Sequence, residues 1–195
     1  MRSLTRIAAV AAGLALLLAA CGGERRGGAD GEAYKGGRLS IATGNTTGVY
    51  YQLGGGYADL LTKHLPGYQV TAEATGASVE NIQRVVRGDS DIAFTLADTA
   101  SDAATGRDAF SSPQPIRALA RIYTNYTHVL ARKDANVRTV ADLKGKRVST
   151  GSPNSGTETI ALRLLRAAGL DPDADISRQA LSLPETVQGV KDGTI

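Results

Sequence analysis

The chain has 195 residues, with 22 lysines and arginines against 19 aspartates and glutamates, and one cysteine. Charges of both signs are spread along it, without the basic stripe that tracks a nucleic-acid backbone, and a single cysteine excludes a disulfide framework within the chain. The two histidines, His64 and His128, lie far apart with no cysteine or carboxylate at ligand spacing, so neither a metal site nor a cofactor is expected.

Arg2 and Arg6 precede an apolar run of 12 residues, 7–18, which is short of the ~20 a spanning helix needs. This is the pattern of an export signal. The run closes on Leu18-Ala19-Ala20-Cys21, which resembles the bacterial lipoprotein signal. That resemblance implies a signal peptide over residues 1–20, lipid attachment at Cys21, and an extracytoplasmic protein anchored to the cell membrane. Residues 22–37 hold 7 glycines and little that is apolar, too little to fold. Residues 21–37 are therefore expected to form a lipid-anchored tether of about 20–25 Å. Removing Arg2 and Arg6 with the signal leaves 20 basic and 19 acidic residues, so the mature chain is close to neutral.

From residue 38 onward short β-type runs alternate with helical ones. Residues 39–43 read as a strand, and Val49, Leu53, Tyr57, Leu60 and Leu61 fall at helical spacing before Pro66-Gly67. A strand over 69–74 follows, then a helix carrying Val79, Ile82, Val85 and Val86 that stops at Gly88. Residues 92–96 read as a strand, a short helix starts at Asp98, and 106–115 as a loop. Further strands are expected over 116–122 and 128–131. Then come a short helix ending at Gly145, a strand over 146–150, a helix over 157–168, a strand over 176–181 and a helix over 184–191. This βαβ order predicts an α/β fold with mostly parallel sheets. We divide it into lobe 1 (38–131) and lobe 2 (132–195), with a cleft between them.

Ligands of such sheets sit beyond the carboxyl ends of the strands, and there the chain places small and hydroxyl residues that lead into helices. Thr43-Gly44-Asn45 and Tyr50-Tyr51 lie at the first helix entry, Thr75-Gly76-Ala77-Ser78 with Asn81 at the second, and Ser152-Pro153-Asn154-Ser155-Gly156-Thr157 at the third. Helix entries leave N–H groups unpaired and, with the dipole, favour an anion. Three of them around one cleft would make a carboxylate-binding pocket, although each taken singly is more often a plain N-cap than a ligand site. No loop ends in the Gly-Lys-Ser/Thr of a phosphate-binding P-loop. One of Tyr50 and Tyr51 should face the ligand and the other the helix packing surface.

The segments TGNTTGVYYQLGGGYADLL, TGASVENIQRVVRGDSDIAFTLAD and DLKGKRVSTGSPNSGTE resemble the TAXI family, the extracytoplasmic solute receptors of TRAP transporters. The resemblance implies a two-lobed type II periplasmic-binding-protein fold. It further implies a receptor that captures a small organic acid or amino acid, glutamate-like, and delivers it to ion-coupled TRAP membrane subunits, which can be fused as one permease. Carried over residue by residue, the ligand-binding positions are Thr43, Gly44, Asn45, Tyr50, Ser78, Asn81, Asp98, Tyr123, Ser152, Ser155, Gly156 and Thr157. Asn81→Leu is expected to abolish ligand binding while leaving the melting point within a few degrees. One departure is Ala77, where the family often has glycine. The resemblance also implies that lobe 2 is incomplete in this chain, so that the chain alone would bind its solute about a hundredfold more weakly than a full-length receptor.

Two other classes stay in view. A solute-binding lipoprotein of an ATP-driven importer would share fold, anchor and cleft. An exported enzyme would need a nucleophile with a base, and neither a Gly-x-Ser-x-Gly elbow nor a histidine partnership is present, so no catalytic residue is expected.

Overall fold

The computed structural model describes residues 36–195. The expected signal peptide, Cys21 and nearly all of the tether lie outside the described residues.

Strand β1 (Gly37–Ala42) is the centre of a three-stranded sheet, flanked by β2 (Tyr68–Glu73) and β3 (Ile92–Ala93) in the order β2-β1-β3. Both pairings are parallel: Leu39 is level with Val70, and Ile41 with Ala72 on one side and Ile92 on the other. Each crossover is made by a helix. Helix α1 (Val49–His64) joins β1 to β2, and α2 (Ser78–Arg87) joins β2 to β3. On α1, Tyr50, Gly54, Ala58 and Leu61 recur at helical spacing, and this stripe faces Ile41, Val70 and Phe94 to form the first core. Helix α2 turns Val79 and Ile82 to Ala103 of α3 (Ala97–Thr105) and to Phe110, the second core. Gly88 ends α2 at φ 76°, a left-handed conformation that suits glycine.

A second, two-stranded parallel sheet pairs β4 (Arg147–Ser149) with β5 (Ser177–Gln179). Helix α4 (Gly156–Ala167) crosses between them, and α5 (Leu183–Asp192) follows. Leu143, Leu165, Leu170 and Ile176 form its core, with Val137, Val140 and Val148 packed around them.

The expected element order holds with three corrections. The strand expected over 92–96 is cut to Ile92–Ala93, because the main chain beyond it is diverted: the Phe94 carbonyl accepts from Asn81 Nδ2 at 2.7 Å and the Leu96 N–H donates to Ser78 Oγ at 3.0 Å. The strands expected over 116–122 and 128–131 are not formed. A strand needs a ladder, and among the described residues none pairs with this stretch, so Leu119, Ile122, Val129 and Leu130 stay exposed. The short helix before Gly145 is a 3₁₀ turn, Val140–Leu143, closed by a capping box between Thr139 and Asp142.

Candidate functional site

The carboxyl ends of β1, β2 and β3 are tied together by one side chain. Asn81, fully buried on α2, donates through Nδ2 to the Thr43 carbonyl at 2.6 Å and the Phe94 carbonyl at 2.7 Å, and accepts from Thr75 Oγ1 at 2.5 Å. Thr43 is also fully buried, with Oγ1 donating to the Glu73 carbonyl at 2.6 Å. These bonds fix the floor from which the loops rise.

A cleft of about 1320 Å³ opens above that floor, between the helix entries of the first sheet and the second α/β unit. Gly44, Asn45, Tyr50 and Ser78 line it from one side, Ser152, Ser155, Gly156 and Thr157 from the other, and Tyr123 from the connecting stretch. Nine of the twelve expected positions are thus brought to one cavity. Thr43, Asn81 and Asp98 are not among its lining residues, and their polar atoms are engaged in the fold. Asp98 accepts from the Thr99 N–H at 2.8 Å and from Arg163 Nη1 at 3.3 Å. Of the two tyrosines, Tyr50 faces the cleft.

The three helix entries are not equivalent. At α2 the N–H groups of Val79 and Glu80 both donate to the Asn154 carbonyl at 3.1 Å, so this end is capped by the loop from across the cleft. Glu80 reaches back to the Gly76 N–H at 2.7 Å. At α4 the Ser155 Oγ accepts from the Glu158 N–H at 3.0 Å, while no acceptor among the described residues takes the N–H groups of Gly156 and Thr157. At α1 no side chain caps the helix, and the N–H groups of Val49 and Tyr50 are likewise unclaimed. The α2 entry is therefore the most fully capped of the three: among the described residues only its Ser78 N–H is unclaimed, whereas α1 and α4 keep both of their first two N–H groups free.

Tyr50 packs on Phe94 with ring centroids 5.4 Å apart and meets Tyr123 edge-on at 6.4 Å. Burial pushes its phenol up to about 12; contacts with Ser78 and Asn125 pull the other way, and Tyr123 and Asp98 add to the rise. Tyr50 is thus a neutral hydrogen-bond donor at physiological pH. The unfolded chain loses this proton near pH 10 and the folded protein only near 12, so the stability it contributes is whole below pH 10 and drains between 10 and 12. Tyr50→Phe should flatten that part of the stability profile relative to wild type, as read by urea unfolding on both sides of the window. Equal slopes would mean the phenol ionises as freely in the fold as outside it.

Sequence reasoning missed three contributors. Asn125 reaches Tyr50 from the link between the strands expected over 116–122 and 128–131, and Asn154 acts through its carbonyl, which no side-chain pattern reveals. Arg163 binds Asp98 and Asp102 of α3 and also Asp108; three acidic residues within one helix and loop are visible in the sequence, their partner on α4 is not.

Ala77, at the α2 entry, has φ 90° and ψ −142°. That region is close to glycine-only, and holding another residue there costs on the order of 1–3 kcal/mol.

Parallel α/β units facing each other across a cleft at their helix entries define the periplasmic-binding-protein fold. In agreement, the structure is similar to that of the alkanesulfonate-binding protein SsuA from Xanthomonas axonopodis pv. citri bound to MOPS. The TM-score is 0.54 at 20% identity, over 84% of this chain and 54% of that one. The periplasmic aliphatic sulphonate binding protein SsuA from Escherichia coli matches at 18% identity over 81% of this chain and 52% of that one, with a TM-score of 0.42, too low to bear on the fold. The chain spans about half the length of the solved structures it matches. Residues 41–195 match the NMT1-like family, and the chain belongs to that family.

Proposed function

We propose that the protein is the solute-binding receptor of an importer, which captures a small organic anion or amino acid outside the cytoplasm and hands it to membrane subunits. The observation that supports this best is the pair of unclaimed helix entries, Val49–Tyr50 and Gly156–Thr157, facing one cleft with Tyr50, Ser78 and Tyr123 beside them. Fixed N–H dipoles and neutral hydroxyls hold an anion without a counter-ion. Lobe 1 is taken as 38–131 and lobe 2 as 132–195. Thr43, Asn81 and Asp98 hold the floor and wall of the site, and the other nine positions meet the solute.

The test is a thermal-shift screen of small carboxylates, amino acids and sulfonates on the full-length protein. A ligand at ~100 times its dissociation constant should add about 2.7 kcal/mol. If no member of these classes raises the melting point at millimolar concentration, the receptor reading fails.

Two transport partners fit such a receptor. The likeness in fold to an alkanesulfonate-binding protein favours a solute-binding lipoprotein of an ATP-driven importer, whereas the three quoted segments favour ion-coupled TRAP subunits. The adjacent coding sequence separates them: an ATPase subunit supports the first, a multi-span permease the second.

The Leu18-Ala19-Ala20-Cys21 run supports anchoring through a lipidated Cys21, where stable attachment takes more than one acyl chain. Cys21→Ser should shift the protein to the soluble fraction or leave it as unprocessed precursor. An unlipidated wild-type N-terminus by mass spectrometry would end this reading.

A further inference from the structure

Ala77 combines two features that no other non-glycine residue of the cleft shares. Its backbone stands at φ 90°, where an L side chain is strained, and the residue lines the cavity. Its main chain is held from both sides: the N–H donates to Thr75 Oγ1 at 3.1 Å, the carbonyl accepts from the Asn81 N–H at 2.8 Å, and the next residue, Ser78, holds the Leu96 N–H at 3.0 Å. The methyl group therefore has a fixed position and no rotamer by which to leave it. It stands 3.7 Å from where a Cβ on Gly44 would be, a point that is also 3.7 Å from the Tyr50 Cβ. Gly44, Tyr50 and Ala77 thus close a corner of the cleft between the entry of α1 and Ser78.

We propose that the Ala77 methyl sets the size of the anionic head the cleft accepts, admitting a planar carboxylate and turning away a tetrahedral sulfonate. This rests on the receptor reading above. A carboxylate offers its two oxygens in one plane and can lie between the α1 and α4 entries. A sulfonate places a third oxygen out of that plane, in a corner where the methyl stands. The walls cannot yield, because Gly44 has no side chain to move and the Ala77 backbone is pinned. A group of methyl size in a rigid pocket discriminates by roughly 10–200-fold.

Calorimetry on the full-length protein with isosteric pairs decides it: glutamate against homocysteate, β-alanine against taurine, butyrate against propanesulfonate. Wild type should bind the carboxylate of whichever pair it accepts at least about tenfold more tightly than the matching sulfonate. Ala77→Gly, which removes the methyl and relieves the strained backbone, should melt no lower than wild type and reduce that ratio by about tenfold or more, through gain of the sulfonate. An unchanged ratio, a wild type that prefers the sulfonate, or a folded variant that loses the carboxylate overturns the size filter and leaves the receptor reading intact. Failure of both members of every pair to bind either protein overturns the filter and the receptor reading together.

Discussion

Asn81→Leu should destabilise the protein by about 3–5 kcal/mol, one of the largest effects expected of any single substitution in the first sheet. The side chain is fully buried, and its amide serves the Thr43 and Phe94 carbonyls while its oxygen takes the Thr75 hydroxyl. Leucine leaves the two buried carbonyls without this donor and the Thr75 hydroxyl without its acceptor, at roughly 1–3 kcal/mol each, with incomplete additivity. Urea unfolding of the variant measures the loss, and a value below about 1 kcal/mol would show that water replaces the amide without cost. This reverses what the sequence led us to expect. Asn81 lies one turn into a helix whose entry resembles a ligand loop, so it read as a residue that meets the solute and could be removed without harm. The residue does serve the site, but by holding the ends of β1, β2 and β3 in register beneath it.

That reversal shows what a single sequence conveys. Periodicity placed α1, α2, α4 and α5 within a few residues, because helical spacing and a glycine stop are local features, as Gly88 and Gly193 show at the ends of α2 and α5. It chose the wrong face of α1: of the expected stripe only Leu61 packs on the core, while Val49, Leu53, Tyr57 and Leu60 are exposed and the smaller Gly54 and Ala58, with Tyr50, face the sheet. The order of parallel strands followed from the helical crossovers. Strands were less legible where their existence depends on a partner. The alternating apolar residues near Leu119 and Val129 have strand character, yet they form no ladder among the described residues. Within the cleft, the hydroxyl-rich entries marked the correct loops. Which entry keeps its N–H groups was not legible, because the cap on α2 is the main-chain carbonyl of Asn154, 75 residues from Val79 and 74 from Glu80 in sequence yet 3.1 Å from both N–H groups in space. The strain at Ala77 is a backbone property for the same reason, invisible in an alanine until its φ is known.

Arg163→Leu should cost about 2–3 kcal/mol and weaken solute binding by about tenfold or more, two effects with separate causes. The guanidinium on α4 binds Asp98 and Asp102 of α3 and also Asp108, and the Asp102 side chain is only 9% exposed. Removing the cation strands a nearly buried carboxylate beside two others. Breaking a fully buried pair costs about 3–5 kcal/mol, and the discount here reflects that Arg163 itself and Asp98 and Asp108 are partly in solvent. The cluster is also a mechanical tie, since it and the Asn154 carbonyl attach the α4 segment to α2 and α3. Gly156 shows how close that approach is: a Cβ there would lie 2.6 Å from Leu96 Cδ1 and 2.7 Å from Ser78 Oγ. The unclaimed N–H groups of Gly156 and Thr157 are aimed into the cleft only while this contact holds, and a tenfold loss of affinity corresponds to ~1.4 kcal/mol of lost preorganisation. Asp102→Asn added to Arg163→Leu separates the two effects. It removes the stranded charge, so more than half of the stability should return, while the tie stays broken and affinity stays low. Recovery of affinity together with stability would show that the cluster only neutralises charge, and that the Asn154 carbonyl and the packing at Gly156 suffice to hold the cleft.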